Sequence, residues 1–311
     1  MTRACDVIEG RSHLITRRCT QRQFLLAPSE LLNQLFLFCV GYASQRYSVA
    51  VHAACVMSNH YHLVVTDPLA QLPKFKHRLN LLLSRALNSH YGRWESLFVG
   101  GSSPPVWLVD RDDALEKMVY ALTNPVAAGL VPSGAHWPGV LTAPTQIGQR
   151  QVIQRPDFFF RKNGPVPESV TLELTKPPMF GDDTDEEFAR RLQEAVEARE
   201  ESIRTRFREE KRKFQGVRKI RAQSHLDAPR TREPRRNLNP RVACRDKWKR
   251  IAALQANQKF LRDYRAALKE FCERVKRRSK DALEVIFPKG TYWMRVHHGV
   301  RCEGALPPAP S

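Results

Sequence analysis

Two spacings of hydrophobic residues alternate along the first 140 residues, and each predicts a different type of element. Short apolar, β-branched runs predict strands at about 13–20, 48–57, 60–66 and 106–109. Apolar residues spaced three and four apart predict helices at about 29–42, 72–91 and 112–123. An antiparallel sheet with helices packed on it is an α+β sandwich, so we expect that fold class for this part of the chain.

A hairpin is predicted where the runs 48–57 and 60–66 are separated only by Ser58 and Asn59. Its second strand begins with two histidines one residue apart, and side chains alternate between the two faces of a strand. His60 and His62 should therefore point to the same side, where two imidazoles can bind one divalent cation. The alternative is a pair of histidines with an ordinary structural role at the end of a strand.

A second candidate group lies at the end of the predicted helix 112–123. Pro125 disfavours a helical conformation at the residue before it, which ends this helix near Asn124. Tyr120 and Asn124 are then four residues apart and share one helix face. If that face meets the two histidines, the phenol can act as a nucleophile and the amide oxygen as a third metal ligand. A core tyrosine followed by an ordinary helix-terminal asparagine is the alternative.

Together the two groups resemble a known family. Asn-His-hydrophobe-His at 59–62, followed by a tyrosine at 120 and Asn-Pro-Val-x-x-Gly-Leu-Val at 124–131, is similar to the single-tyrosine HUH transposases, in particular the REP-associated tyrosine transposases of bacteria. The resemblance covers about residues 10–140 and implies a ferredoxin-like or RRM-like core. This sequence departs from the family in the bulky Tyr61 and in the segment 100–105, where the family often has aromatic and charged residues.

The resemblance also implies a site and a reaction. It assigns His60 and His62 as metal ligands, Asn124 as a third ligand and Tyr120 as the nucleophile, with Mg²⁺ or Mn²⁺ as the cofactor. The implied partner is single-stranded or hairpin DNA. The implied products are a 5′-phosphotyrosine and a free 3′-hydroxyl, which makes the reaction a transesterification. A cation on the phosphate lowers the barrier to attack because it offsets the charge that repels a nucleophile.

Composition agrees with a nucleic-acid partner. The formal net charge is +19 and the pI about 10.0, and most of the excess positive charge lies after residue 150. The seven cysteines show no C-x-x-C spacing, which predicts reduced thiols in a cytoplasmic protein. The longest apolar stretch, 31–43, is too short to cross a bilayer, so no membrane partner is expected. The sequence leaves the oligomeric state open, a dimer included.

The sequence after residue 140 predicts two further regions. Frequent prolines predict an irregular linker with a few short strands at 141–181. A capping-box signature at Thr184 predicts a helix to about residue 214, and Asn239-Pro240 predicts the start of another, to about residue 275. Apolar runs on both sides of Lys289-Gly290 predict a terminal hairpin. The predicted division is a catalytic domain at 1–140, the linker at 141–181, and a basic, mainly helical region at 182–311.

A dense basic segment between the two long predicted helices is a candidate DNA-binding region. The residues predicted to contact phosphates are Arg235, Arg236, Arg241, Arg245, Lys247, Lys249 and Arg250. Trp248 lies among them and can either stack on an unpaired base or belong to the core. The alternative for the whole segment is a solvated connector that binds no DNA.

Two functions follow from these residues. The first is a transposase-like single-strand DNA endonuclease and strand transferase in which Tyr120 attacks a phosphodiester. The second is a catalytically inactive or domesticated protein that binds DNA of a particular sequence or structure. Retention of all four side chains of the predicted site favours the first, because a binding protein has no use for the set. An RNA-binding sheet domain is disfavoured, because the predicted strands lack the exposed aromatic pairs that stack bases.

Overall fold

The described part of the chain combines α-helices and β-sheets in an α+β fold. A computed structural model describes residues 4–100, 104–231, 240–278 and 280–304. The strands are β1 (Arg11–Arg18), β2 (Ala50–Met57), β3 (His60–Asp67), β4 (Val106–Leu108), β5 (Arg150–Gln154), β6 (Ser169–Glu173), β7 (Val242–Ala243), β8 (Ile286–Phe287) and β9 (Arg301–Cys302). The helices are α1 (Glu30–Tyr47), α2 (Leu72–Tyr91), α3 (Arg111–Leu122), α4 (Asn124–Ala127), α5 (Asp185–Glu209), α6 (Val217–Arg221), α7 (Lys247–Lys276) and α8 (Trp293–His298).

The main sheet of the described residues has the strand order β2-β3-β1-β4-β7. β3 lies antiparallel to β1 and β2, and β1 lies antiparallel to β4, whereas β4 and β7 run parallel. In this register Thr16 pairs with His62, and Arg18 pairs with His60. Residues that pair across neighbouring strands point to the same face, so β1 and β3 bring these four side chains together.

Helices cover both faces of this sheet. α1 and α2 pack on one face, where the ring of the buried Tyr61 lies 5.3 Å from that of Phe36 on α1. The Tyr61 hydroxyl donates to Asn80 on α2 at 2.8 Å. α3 packs against β2 and β3 on the other face. His60 and His62 flank Tyr61 in sequence and therefore point to the α3 side, away from the hydrophobic layer under α1 and α2.

The predicted α+β class is confirmed, and several predicted boundaries agree with the structure. α2 spans the predicted range 72–91, and Ser58 and Asn59 connect β2 to β3. α1 continues past its predicted end at residue 42 to Tyr47, and ends where Ser48 adopts a left-handed conformation. The ferredoxin-like or RRM-like topology implied by the family resemblance stays a prediction.

Residues of the predicted linker pack on the core. β5 and β6 form a two-stranded antiparallel sheet that lies against α1. Ile153, Val170 and Leu172 from these strands are buried in the same hydrophobic cluster as the main sheet. Gly41 of α1 permits the contact, since a Cβ there would lie 2.9 Å from Val170 Cγ2. The domain boundaries stay a prediction, but this segment is part of the core rather than an exposed connector.

The two long helices of the second half begin differently. α5 begins at the predicted capping box, in which Thr184 Oγ1 accepts from the Glu187 N–H at 3.1 Å. The predicted start of the last long helix is wrong. Asn239 lies outside the described residues, and Pro240 leads into β7, which pairs with β4. α7 begins only after Asp246, because this carboxylate accepts from two backbone N–H groups of the first turn, both at 2.8 Å.

The predicted terminal hairpin is also wrong. β8 pairs in parallel with β9, and the residues between these strands include the helix α8. Met294 is buried on α8, while Trp293 and Val296 are exposed. An apolar run this short has the same hydrophobic pattern in a strand and in a helix, so its sequence does not decide between them.

Two composition-based predictions concern cysteines and membranes. All seven cysteines lie within the described residues, and their thiols are free. In the same part of the chain, no helix has the length and the apolar character needed to cross a membrane.

Candidate active site

The two histidines of the β2–β3 hairpin lie side by side on the α3 face of the sheet. The centroids of the His60 and His62 rings are 4.8 Å apart. His62 is 3% exposed, whereas His60, the first residue of β3, is partly exposed. The pair is therefore anchored in the protein on one side and reachable from solvent on the other.

α3 brings Tyr120 against this pair. The ring centroid of Tyr120 lies 5.3 Å from that of His62, with the ring planes at 73°. The buried side chains of Met118 and Leu122 hold the helix on the sheet, while Tyr120 stays 44% exposed. The phenol is thus fixed next to the histidines and still open to an incoming molecule.

Asn124 reaches the same site from a different helix. α3 ends at Leu122, and Asn124 begins α4, where Pro125 occupies an early position that needs no backbone N–H. The Asn124 side chain still contacts the site, because its Nδ2 lies 3.0 Å from His62 Nε2. The structure therefore brings together the side chains at positions 60, 62, 120 and 124.

A helix from the second half of the chain holds α4 in place. Gly129, which follows α4, has a φ of +73°, and a Cβ there would lie 3.0 Å from the Phe207 ring of α5. Val126 and Phe207 are buried in one hydrophobic cluster. The glycine of the run at 124–131 is therefore required by its backbone conformation and by close packing on α5. The position of Asn124 depends in this way on residues outside the predicted catalytic domain.

β1 contributes two residues that sequence analysis missed. Thr16 Oγ1 lies 2.8 Å from His62 Nδ1. Arg18 is exposed opposite His60, and its positive charge acts on His62. Neither residue belongs to a recognisable motif. The antiparallel register of β1 with β3 is the signal that would have found them, and the hydrophobic alternation of single strands does not specify it.

Burial controls the protonation of His62. It lowers the pKa of His62 to about 3, and the neighbouring charges of His60 and Arg18 act in the same direction. The imidazole is therefore neutral around neutral pH, which is the form that binds a metal ion.

The donor atoms at this site fit a small divalent cation. His60 and His62 supply imidazole nitrogens. A half-turn of the Asn124 amide about χ2 places its own Oδ1, in place of Nδ2, next to His62. Imidazoles favour Mn²⁺, Co²⁺ or Zn²⁺, whereas amide and phosphate oxygens suit Mg²⁺ and Mn²⁺. These three residues can therefore hold the metal ion that the family resemblance implies, and Mn²⁺ suits both kinds of donor.

A second cluster of potential metal ligands serves a different purpose. Ligand atoms of Asp110, Asp113 and Cys244 lie within 4.8 Å of one another. The Asp110 carboxylate accepts from Lys249 Nζ at 2.9 Å, and the Asp113 carboxylate accepts from the Arg245 backbone N–H at 2.9 Å. The two carboxylates therefore attach the start of α7 to the start of α3, and the nearby ammonium group disfavours a cation there.

The basic residues predicted to bind DNA fall into distinct groups. Arg235 and Arg236 lie outside the described residues. The backbone oxygen of Arg241 accepts from the Trp107 N–H at 2.9 Å, which places it at the edge of the main sheet. Arg245 and Lys249 form ion pairs with carboxylates near the start of α3. Part of the predicted DNA-binding charge is thus neutralised within the protein.

The remaining members of the basic segment face solvent. Lys247 and Arg250 are exposed and form no ion pair with any described residue. Trp248 is 74% exposed, and Lys247 Nζ lies 5.6 Å from the centroid of its ring. Trp248 is therefore not a core residue, which leaves base stacking as the interpretation that the sequence offered.

The similarity found between this chain and known proteins is weak. No family model matches the chain, and neither does a curated protein. A solved structure of a REP-associated tyrosine transposase bound to a REP hairpin is 16% identical, over 45% of this chain and 80% of the other, with a TM-score of 0.37. A similarity of this size carries no argument for the function of the chain.

Proposed function

We propose that the protein cuts and rejoins single-stranded DNA with Tyr120 as its nucleophile, in the manner of a tyrosine transposase. The observation that carries this proposal is the convergence of a phenol, two imidazoles and an amide at one partly open site, with the Tyr120 and His62 rings 5.3 Å apart. A protein that only binds DNA gains nothing from a phenol next to a pair of metal-type ligands.

Attack by the Tyr120 oxygen exchanges one phosphodiester for another. The bond from the phenolic oxygen to phosphorus forms as the bond from phosphorus to the 3′ oxygen breaks, and the phenolic proton passes to a base or to water. The products are a 5′-phosphotyrosine and, once the leaving oxygen has taken up a proton, a 3′-hydroxyl. Because the phosphodiester energy is retained, attack by a 3′-hydroxyl on the phosphotyrosine rejoins a strand.

The surrounding residues prepare the phosphate for this attack. His60, His62 and Asn124 would hold Mg²⁺ or Mn²⁺, which supplies positive charge to the non-bridging oxygens when bound. Arg18, exposed opposite His60, supplies a second positive charge on the same face of the sheet. These groups bind and orient the phosphate. Among the protein's residues, Tyr120 alone forms a covalent bond to it.

The proposed substrate is single-stranded DNA next to a hairpin. The motif resemblance specifies the hairpin. Arg18 at the end of β1, and Arg22 shortly after it, provide positive charge near the site for a polyanionic strand. On the second half of the chain, Lys247 and Arg250 are exposed cations that can extend this contact.

A covalent adduct tests the proposal. Full-length protein is incubated with Mn²⁺ and a panel of single-stranded hairpin oligonucleotides labelled at the 3′ end, and the products are separated under denaturing conditions. A 5′-phosphotyrosine leaves the 3′ fragment attached, so we expect a labelled protein–DNA species that requires the metal. Tyr120→Phe keeps the ring and removes only the oxygen, and it should abolish this species.

Tyr91→Phe is the matched control for this substitution. Tyr91 is the last residue of α2, on the other face of the sheet, where its ring stacks on His225 at 4.2 Å. Removal of its hydroxyl should leave the adduct unchanged. An adduct that persists in Tyr120→Phe would show that the nucleophile is a different residue.

A catalytically inactive DNA-binding protein is the second candidate. The contact of 3.0 Å between Asn124 Nδ2 and His62 Nε2 favours it, because this contact satisfies the ligand nitrogen without a cation. Such a protein would bind hairpin oligonucleotides of the same panel and form no adduct with any divalent cation.

A further inference from the structure

We propose that Thr16 is a positioning residue for the metal ligand His62, an inference that rests on the proposed metal-assisted cleavage. Thr16 on β1 lies opposite His62 on β3, and its Oγ1 is 2.8 Å from His62 Nδ1. On the other side of the same ring, Nε2 faces the Asn124 side chain at 3.0 Å. A hydroxyl thus holds the ring at one nitrogen, and the other nitrogen is presented to the third ligand.

The hydrogen bonds determine which nitrogen of His62 carries the proton. A neutral imidazole has one N–H and one nitrogen with a lone pair. The Asn124 amide donates to Nε2, which requires the lone pair there, so the proton lies on Nδ1 and Thr16 Oγ1 accepts it. In this tautomer the nitrogen that faces Asn124 can bind a cation. In the other tautomer the same nitrogen carries a proton and cannot.

His60 shows the same arrangement with a different partner. Its Nδ1 lies 2.7 Å from Asn59 Oδ1, and a carbonyl oxygen only accepts, so this Nδ1 also carries the proton. In the neutral form of each histidine the lone pair then lies on Nε2. Asn59 is part of the hairpin motif, whereas Thr16 lies on another strand, 46 residues before His62 in sequence. β1 therefore supplies the hydrogen-bond partner of His62 Nδ1, and the hairpin motif supplies the partner of His60 Nδ1.

A second hydroxyl–histidine pair on the same sheet provides a matched comparison. Thr66 Oγ1 lies 2.7 Å from His52 Nε2, and Thr66 is on the same face of β3 as His62. The other nitrogen of His52 lies 2.8 Å from the Thr175 backbone oxygen. A backbone oxygen cannot turn aside as the Asn124 amide at His62 can, so this pair can stabilise the sheet but does not present a nitrogen to a metal ion.

The tautomer is measured directly in the metal-free, full-length protein. With ¹⁵N-labelled histidine, long-range proton–nitrogen correlation distinguishes Nδ1–H from Nε2–H, and the His62 signals are assigned by their loss in His62→Gln. We expect Nδ1–H in the unsubstituted protein and in Thr16→Ser. In Thr16→Val we expect a mixture of both tautomers or Nε2–H alone. An Nε2–H tautomer in the unsubstituted protein overturns the inference, even where Thr16→Val does not fold.

Affinity for Mn²⁺, measured by calorimetry, is the second readout. The affinity should weaken about 10- to 100-fold in Thr16→Val, which is the loss seen at other metal sites when the hydrogen-bond partner of a ligating histidine is removed. In Thr16→Ser, which keeps the hydroxyl, it should return to within about threefold of the parent. Thr66→Val removes the equivalent hydroxyl from the comparison pair and should lower the unfolding temperature while leaving Mn²⁺ affinity unchanged. Saturating Mn²⁺ should restore most of the cleavage rate in Thr16→Val, because the defect lies in metal binding.

Failure of this inference and failure of the proposed function give different results. If Thr16→Val folds, keeps Nδ1–H on His62 and binds Mn²⁺ as the parent does, Thr16 does not position the ligand, whatever happens to cleavage. If Tyr120→Phe still forms the adduct, the proposed nucleophile is wrong, while the tautomer and affinity measurements still decide the role of Thr16.

Discussion

The candidate active site and the basic segment at 241–250 are built in opposite ways. At the site, His62 is 3% exposed, and its two ring nitrogens lie within hydrogen-bond distance of Thr16 and Asn124. In the basic segment, Lys247 and Arg250 are exposed and have no ionic partner among the described residues. Chemistry requires reacting atoms in a fixed geometry, whereas phosphate binding requires charge near the surface. Burial and fixed partners therefore characterise the first region, and exposure characterises the second.

α3 connects the two regions. Arg245 pairs with Glu116 and Lys249 with Asp110, so the start of α7 is attached to the helix that carries Tyr120. These two basic residues have carboxylate partners nearby. The sequence alone does not distinguish them from Lys247 and Arg250, which have none among the described residues. The positive charge counted from a sequence is therefore an upper limit on the charge that can meet DNA.

The largest expected effect is on cleavage, and it separates the chemistry of the candidate active site from DNA binding by the basic segment at 241–250. His60→Ala and His62→Ala should each reduce cleavage by at least about 100-fold, because each removes a proposed ligand of the metal ion. Hairpin affinity should stay within a few-fold of the parent, since the site contacts one phosphate and the other proposed phosphate contacts come from arginine and lysine side chains. Single-turnover cleavage at low Mn²⁺ and fluorescence anisotropy measure the two quantities on the same oligonucleotide.

The exposed His136 provides the control for these substitutions. His136→Ala should change neither cleavage nor affinity. If His60→Ala and His62→Ala both cut as well as the parent at low metal concentration, the assignment of the metal ligands is wrong. An equal loss of binding and cleavage would contradict the proposal that the candidate active site cleaves DNA while other residues provide most of the DNA binding.

The pH dependence of stability sharpens the contrast between buried and exposed histidines. Burial lowers the pKa of His52 from 6.5 to about 4 in the folded protein. The unfolded chain then binds a proton that the folded chain excludes, so stability that depends on neutral His52 is complete above pH 6.5 and is lost as the pH falls towards 4. By linkage the loss is on the order of 3 kcal/mol.

Urea unfolding at several pH values between 4 and 7 measures this loss. His52→Gln should reduce the dependence of the unfolding free energy on pH by about one proton over that range. His297→Gln, which changes an exposed histidine of α8, is the control and should leave the dependence as it is in the parent. An identical pH dependence in the parent and in His52→Gln would contradict the prediction.

Periodicity predicted the elements that carry the site. α2 has a long apolar stripe and matches its predicted range, and two-residue alternation correctly indicated that His60 and His62 share a face. The four-residue spacing of Tyr120 and Asn124 also led to the observed proximity, although the two residues lie on different helices. These features depend on local geometry, which a sequence specifies directly.

The supports of the site depend on contacts between distant segments, and the sequence did not reveal them. Thr16 is found only through the register of β1 with β3, and Gly129 only through its packing on Phe207 of α5. The sequence indicated only a few short strands among the prolines, and it did not reveal that β5 and β6 pair with each other and pack on α1. Asn239-Pro240 and Asp246 are competing start signals for a helix, and the pairing of β7 with β4 decides in favour of Asp246.

The smallest expected effect concerns the basic segment at 241–250. It tests which of its positive charges can bind phosphate and which are compensated by carboxylates of the protein. Lys247→Gln with Arg250→Gln, and Arg245→Gln with Lys249→Gln, each remove two positive charges from the same segment. Of these four residues, Lys247 and Arg250 have no ionic partner among the described residues, whereas Arg245 and Lys249 do. The first double substitution should therefore flatten the plot of log affinity against log salt more strongly. A phosphate contact with single-stranded DNA contributes about 0.7 to this slope, so the first variant should lose about 1.4.

The second variant should lose distinctly less slope, because Glu116 and Asp110 already compensate Arg245 and Lys249. It should instead lower the unfolding free energy slightly, because two exposed ion pairs are lost, and the first variant does not share this loss. Anisotropy titrations of one hairpin oligonucleotide at several salt concentrations, with urea unfolding of both variants, measure the two effects. Equal changes of slope would show that DNA displaces the carboxylates of α3, and no change in either variant would remove this segment from the DNA-binding surface.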